Sequence, residues 1–247
     1  MDRWGPAHRG GEIEGLRRAS LKFKGLAFDI DGTITNEGGI LDLGAVRMLR
    51  ELEGRGIRTF LITGRNFCVT KAIAKYLGTC GLCAAENGGI VWNGREKIYM
   101  GSRERAEAGL ETLREEVGGH KIEVISSPYR EVDIVIKRTV SLSEANEVLL
   151  RREVGAHVLD SGAAYHVVDV SVSKGKALKK LVGMVGLSVK EVAAIGDNMN
   201  DMDMLKEAGY GIAVGNAPKE LKDQADYVCR AKYAEGFKEA IPRIFEV

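Results

Sequence analysis

Two short blocks of the chain place acids directly after apolar runs. In Phe28-Asp29-Ile30-Asp31-Gly32-Thr33 the acids follow Leu26-Ala27-Phe28, and in Gly196-Asp197-Asn198-Met199-Asn200-Asp201 they follow Val192 to Ile195. Such a run reads as a buried strand of a parallel sheet, where residues two apart point to one side, so Asp29 and Asp31 face a common site. Two carboxylates about 6.6 Å apart, at ~3.3 Å per residue, repel by roughly 2.5 kcal/mol at an effective dielectric near ~20. A cation must offset that. Mg²⁺ suits oxygen ligands, because it is held by a few carboxylates, water and substrate phosphate oxygens. A lone Asp-Gly is an ordinary turn pair, but a turn does not explain why the second block repeats the pattern.

Lys174, in Ser173-Lys174-Gly175, would sit in the first turn of a helix, where the macrodipole disfavours a cation. A bound phosphate reverses that sign, since the helix start offers free amides and Gly175 lets the backbone approach. The plainer alternative is one more surface lysine beside Lys176, Lys179 and Lys180. Thr63-Gly64-Arg65 closes the apolar run Ile57 to Ile62: Thr63 by itself is an ordinary β-branched strand terminator, and Gly64 leaves a backbone amide open. Asn87, in Glu86-Asn87-Gly88-Gly89, is a turn residue or a substrate contact.

The elements that must carry these residues alternate. Strands at Leu26 to Phe28, Ile57 to Ile62 and Leu82 to Ala85 enclose a helix with Ala45, Met48, Leu49 and Leu52 on one face, capped by Asp42, and a second helix over Val69 to Leu77. This rhythm predicts an α/β doubly wound parallel sheet, Rossmann-like in architecture. It then breaks. Ile90 to Trp92 and Lys97 to Met100 form a hairpin through Asn93-Gly94, followed by a helix over Arg103 to Val117, strands at Ile122 to Ser126 and Val132 to Lys137, a helix over Ser141 to Val154, and a last strand pair around Ser161-Gly162. We expect an inserted α+β cap domain over residues 88–170, hinged near Gly88-Gly89 and Val170-Ser171. The core then comprises 21–87 and 171–247, with later strands at Val192, Ile212 and Tyr227. Residues 1–20, rich in Gly and Arg without apolar periodicity, read as a disordered extension. Ligands of open α/β sheets bind beyond the carboxyl ends of strands, where Asp29, Thr63 and Asp197 fall.

A net charge of +1 gives no field favouring nucleic acid or membrane, and no apolar stretch reaches the ~20 residues that span a bilayer. A cytoplasmic enzyme, monomeric or homodimeric, is expected. The four cysteines include Cys80 and Cys83 at redox or half-zinc spacing, but no second Cys or His pair completes a zinc site. They are buried small residues or a redox pair.

Asp-x-Asp-Gly-Thr, Thr63-Gly64-Arg65, Lys174-Gly175 and Gly-Asp-x-x-Asn-Asp, in that order, resemble the four motifs of the haloacid-dehalogenase superfamily of phosphohydrolases. The long segment between the second and third motifs resembles its branch with a large α/β cap, and the chain from about Leu21 onward is similar to archaeal-type phosphoglycolate phosphatases. The resemblance implies Mg²⁺-dependent hydrolysis of a small phosphorylated metabolite, 2-phosphoglycolate first and a small sugar phosphate second, with a phosphomannomutase-like phosphotransfer as the other outcome. It implies Asp29 as nucleophile and Asp31 as acid and base, raised toward neutrality by desolvation beneath the cap. It further implies Asp29, the Asp31 backbone carbonyl, Asp197 and Asp201 around the metal, and Thr63, Gly64, Lys174 and Asn200 on the phosphate.

Overall fold

The computed structural model describes residues 23–125 and 127–245, so the extension expected over 1–20 lies outside the described residues. The chain opens as β1 (Gly25–Phe28), α1 (Leu43–Gly54), β2 (Arg58–Ile62), α2 (Phe67–Leu77), β3 (Cys83–Ala85), β4 (Ile90–Trp92) and β5 (Lys97–Tyr99). It continues through α3 (Arg103–Leu113), β6 (Ile134–Ile136), α4 (Leu142–Arg151), β7 (Ala156–Asp160) and β8 (Tyr165–Asp169). It closes with α5 (Lys174–Met184), β9 (Val192–Gly196), α6 (Met202–Glu207), β10 (Tyr210–Ala213), α7 (Lys219–Lys222), β11 (Tyr227–Val228) and α8 (Tyr233–Ile244).

Strand order β11-β10-β9-β1-β2-β3-β4-β5 builds the main sheet, parallel from β11 to β3 and antiparallel beyond. Alternation along the strands supplies both layers. Leu26, Phe28, Leu61 and Ile195 pack with Leu49 and Leu52 of α1 and Phe237 of α8, while Ala27, Phe60, Ile62 and Ala194 turn the other way onto Leu178 and Leu181 of α5 and Met204 of α6. Local signals start the helices: Asp42 accepts from Ala45 N at 2.8 Å, and Ser173 caps α5 through Lys176 N at 3.2 Å.

A separate antiparallel sheet, β6-β8-β7, carries its own core with α3 and α4, including Leu113, Ile136, Leu149 and Val167. The hairpin expected in this inserted module belongs instead to the main sheet, because β4 pairs with β3 through Ala84↔Val91. Its connection is also longer than two residues: Trp92 pairs with Lys97, and Asn93 Oδ1 accepts from Arg95 N and Glu96 N to hold the intervening turn. Of the strand expected at 122–126, an isolated bridge Val124↔Ile136 is present, and residue 126 lies outside the described residues.

The chain crosses between the two sheets at 100–102 and 169–171, and these segments bind each other: Ser171 Oγ donates to Met100 O (2.7 Å) and Ser102 N to Asp169 Oδ2 (3.0 Å). The expected glycine hinges are close-packing positions. A Cβ on Gly88 would lie 2.4 Å from Ser173 O, and one on Gly89 would lie 2.8 Å from Val132 Cγ1. All four cysteines are free; burial pushes the Cys80 thiol up to about 11 and the Cys83 thiol up to about 12, so neither carries thiolate character at neutral pH. Among the described residues no helix is long and apolar enough to cross a membrane.

Leu49 is fully buried beneath the sheet, so Leu49→Ala should cost about 2–5 kcal/mol of unfolding free energy in urea denaturation. An unchanged midpoint and slope would mean that this layer does not hold the sheet.

Candidate active site

Phe28 of β1 stands in register between Leu61 of β2 and Ile195 of β9. The residues just past these strands, Asp29, Thr63 and Asp197, therefore emerge side by side at the carboxyl edge of the sheet. α5 crosses the same edge and buries the Lys174 side chain completely. Its Nζ donates to Asp201 Oδ1 at 2.7 Å and lies 3.1 Å from Asp29 Oδ1. The Asp29 contact has ion-pair distance without hydrogen-bond geometry, so Asp29 Oδ1 is a buried acceptor with no hydrogen bond. The surface-lysine alternative is thereby excluded.

One oxygen each from Asp29, Asp197 and Asp201 lies within 4.8 Å of the others. Asp201 is locked by its neighbours, since Oδ2 accepts from Asp197 N and Asn198 N, both at 3.0 Å, while Oδ1 takes Lys174. Asp197 is steered by Thr33 Oγ1 (3.0 Å) and by Asn216 Nδ2 (3.2 Å), which also donates to Gly32 O. Two glycines make room for these acids. A Cβ on Gly32, at φ +81°, would lie 2.1 Å from Asp197 Oδ2, and one on Gly196 would lie 2.5 Å from Asp201 Cγ. Gly175 serves helix packing rather than phosphate approach, because its Cβ would lie 2.7 Å from Asp203 O.

Three carboxylates against one ammonium leave a net charge of minus two when all are ionised. Burial pushes Asp29 up to about 6, with Lys174 opposing and Asp201 adding to the rise. Burial, then the charges of Asp201 and Asp29, push Asp197 up to about 8. Burial works against the Lys174 ammonium, but Asp201 and Asp29 prevail and hold it above the ordinary lysine range. A buried Asp29 oxygen that accepts no hydrogen bond of good geometry among the described residues, in a cluster of three acids and one ammonium, fits a divalent cation with oxygen ligands.

Asp31 departs from expectation. Its side chain is 43% exposed and is gripped side-on by Arg65, with Nε to Oδ2 at 2.7 Å and Nη2 to Oδ1 at 2.6 Å. The carboxylate lines the cleft outside the buried acid cluster, and the shielding expected beneath the cap is absent. Thr63, almost fully buried, accepts from Arg65 N at 3.3 Å, which leaves its own hydroxyl proton to donate. Asn200 Nδ2 donates to Asn87 Oδ1 at 2.9 Å, and the other amide ends, Asn87 Nδ2 and Asn200 Oδ1, are buried without hydrogen-bond partners among the described residues. Asn87 has φ +58° and is fully buried behind Gly64, where a Cβ would lie 3.1 Å from its Oδ1, so it is a turn residue packed beneath the site.

Opposite these strand ends, a cleft of about 300 Å³ is closed by the smaller sheet and its loops. This wall was not legible in sequence. Arg130 donates to both oxygens of Asp133 (2.7 Å each) and to Gly64 O (3.0 Å); His166 Nδ1 bonds Asp133 Oδ2 at 2.7 Å, and its Nε2 meets Ser161 Oγ at 3.1 Å. Burial works to raise Asp133, but His166 and Arg130 hold it below the usual carboxylate range. Glu86, fully buried, accepts from the backbone N–H groups of Glu131, Val132 and Asp133 at 2.8–3.1 Å, and burial followed by the Asp133 charge pushes it up to about 7. No motif marked these residues, and the bonds that tie them to the core, Arg130 to Gly64 O and the 131–133 amides to Glu86, join stretches of chain more than 40 residues apart.

The sequence profile of the haloacid dehalogenase-like hydrolases matches residues 26–127 and 134–241. The chain belongs to that family. An Archaeoglobus fulgidus relative named phosphoglycolate phosphatase is 38% identical over 90% of this chain and 96% of its own, and one of the same name from Methanosarcina mazei is 36% identical over 90% and 96%. The crystal structure of Thermoplasma acidophilum 0175 shares the fold at a TM-score of 0.78 and 24% identity, covering 90% of this chain and 98% of that one. A sugar phosphatase of HAD subclass IIB shares it at 0.74 and 20%, covering 89% and 98%.

As members of this hydrolase family go, this site has a testable proton balance. Asp29 and Asp197 hold protons in the folded state, near pH 6 and 8, that the unfolded chain releases near its ordinary value of 3.8. Without metal, their contribution to stability is complete below about pH 4 and is lost as pH rises through about 6 and 8. A divalent cation held by these carboxylates would remove that loss. The rise in Tm on adding Mg²⁺ should therefore be larger at about pH 8 than at about pH 5.5. A rise of equal size at both would place the ion away from these carboxylates.

Proposed function

We propose that this hydrolase is a Mg²⁺-dependent phosphomonoesterase that works through an aspartyl-phosphate, with 2-phosphoglycolate as its substrate. The observation that carries the reading is the juxtaposition of Asp29, at the floor of the cleft, with the buried Lys174 ammonium, a nucleophile beside a fixed cation. The name shared by the archaeal relatives supports the substrate, as does a cleft of about 300 Å³, which suits a small ester.

In this mechanism Asp29 attacks phosphorus in line with the leaving oxygen, the ester P–O bond breaks, and Asp31 gives the departing alkoxide its proton. Water then attacks the aspartyl-phosphate and returns a proton to Asp31. Arg65 must release one Asp31 oxygen before that oxygen carries a proton. Lys174, the Thr63 hydroxyl, the Gly64 amide and Asn200 hold the phosphoryl oxygens, with the unpaired Asn87 Nδ2 as a further donor. Asp29, Asp197, Asp201 and the Asp31 backbone carbonyl would hold Mg²⁺, whose charge screens the transferring phosphoryl group.

Asp29→Asn should lower phosphate release from 2-phosphoglycolate by roughly 10³-fold or more, since an amide neither attacks phosphorus efficiently nor supplies charge. Wild-type-like turnover by a clean preparation would remove Asp29 from the chemistry. The sugar phosphatase of similar fold supports a second substrate reading. A panel of phosphate esters with Mg²⁺ separates the two: a higher kcat/KM for a hexose phosphate than for 2-phosphoglycolate would establish the second reading in place of the first.

A further inference from the structure

Two guanidinium groups line the cleft, and their donor edges are in different states. Arg65 spends its side edge, Nε–H with Nη2–H, on the two oxygens of Asp31. Arg130 is bound from elsewhere: Nη1 reaches both oxygens of Asp133, and Nη2 gives a proton to Gly64 O. A guanidinium has five N–H donors, so Nε–H and the second Nη2 proton of Arg130 have no partner among the described residues. The side edge that takes a carboxylate in a parallel, two-bond pair is made by Nε–H and the Nη2 proton beside it; here Nε–H is unbonded and Nη2 has one proton to spare.

The rest of the inner wall offers no comparable group. Lys174 is enclosed between Asp29 and Asp201, His166 spends one ring nitrogen on Asp133 and the other on Ser161, and Asn198 Nδ2 donates to Ser161 O. Around Arg130 the cleft is lined by the small or apolar Val135, Ala163 and Ala164, where a carboxylate gains more from a guanidinium than it does in water. Arg130 also lines a second cavity of about 120 Å³, and its side chain keeps 14% of its surface exposed. Its position is fixed from both sides. Asp133 holds Nη1, and Glu86 clamps the backbone of the following residues, 131–133, to the core.

We propose that Arg130 is the receptor for an anionic leaving group, its free side edge pairing with a carboxylate carried on the alcohol of the phosphate ester. The proposal rests on the phosphatase reading above and deepens its substrate assignment. It makes Arg130 a specificity-determining residue of the inserted module, with Asp133 and Glu86 as positioning residues behind it. The cleft would hold a dianionic phosphate at its Asp29 and Thr63 end and a carboxylate at Arg130, and a neutral ester of the same size would use only the first.

The test compares 2-phosphoglycolate with 2-hydroxyethyl phosphate, which has a hydroxymethyl group where the first has a carboxylate. Wild type should favour 2-phosphoglycolate in kcat/KM by more than tenfold, and Arg130→Met should remove most of that preference, its kcat/KM falling much further on 2-phosphoglycolate than on 2-hydroxyethyl phosphate. Equal loss on both esters would make Arg130 a tie between module and core through Gly64 O, and would overturn the proposal. So would an unchanged ratio. If loss of the Asp133 partner unfolds the Met variant, Arg130→Lys decides: it keeps a cation beside Asp133 but has no two-proton edge, so the preference should still fall, and a full preference refutes the receptor. A wild-type enzyme that does not distinguish the two esters overturns both the receptor and the phosphoglycolate reading. A wild type that prefers 2-phosphoglycolate, with variants that do so equally, overturns the receptor alone.

Discussion

The buried ammonium of Lys174 sets the terms for everything around it. A lysine with no exposed side chain is tolerable only when counter-charges surround it, and Asp29 and Asp201 do so from two different stretches of chain. This compensation overshoots, since Asp197 adds a third acid and the cluster carries more negative charge than its one cation cancels. Secondary structure answers the imbalance only in part: Asp201 is saturated by two backbone amides and the lysine, whereas Asp29 keeps an oxygen without a hydrogen bond. The unrelieved charge faces the cleft, so the instability and the chemistry proposed for it have one origin.

Sheet order serves that arrangement. β1 lies between β9 and β2, which brings the ends of three strands far apart in sequence to one edge. Lys174 reaches them because Ser173 starts α5 at that edge and Gly175 lets the helix lie against Asp203 of α6. The close fits at Gly32 and Gly196 show that the acids are placed by excluded volume as much as by hydrogen bonds: any side chain at either position occupies the space of a carboxylate.

The acids, Lys174 and Thr63 were legible in sequence because strand ends and helix starts are local features, written in apolar runs and caps. The parallel sheet was legible for the same reason. The β4–β5 hairpin reads from sequence as part of the inserted module but extends the main sheet, because alternation and a turn say that a hairpin forms but not which edge it joins. Asp31 was expected to be sheltered, but the partner that holds it, Arg65, stands two residues past Thr63 and reveals its reach only in three dimensions. The Arg130, Asp133 and His166 wall had no sequence signature at all. Its residues lie up to 36 positions apart on a loop and a strand, and their common element, Asp133, is an unremarked acid until Glu86 fixes its backbone.

Glu86 bears on how separable the two parts of the molecule are. By chain connectivity, the inserted module begins and ends at the paired crossings around Ser102 and Asp169, which look like a clean place to cut and graft. By solvation the border runs elsewhere. A carboxylate from the core has exchanged its water for three amides of the module, and the aliphatic side chain of Val132 fills the space above Gly89. A foreign module joined at the crossings would have to offer a run of inward-facing amides at that spot, or leave the core with an unsolvated acid. A module moved onto this core should therefore be matched to the residue at position 86 as well as to the two crossings.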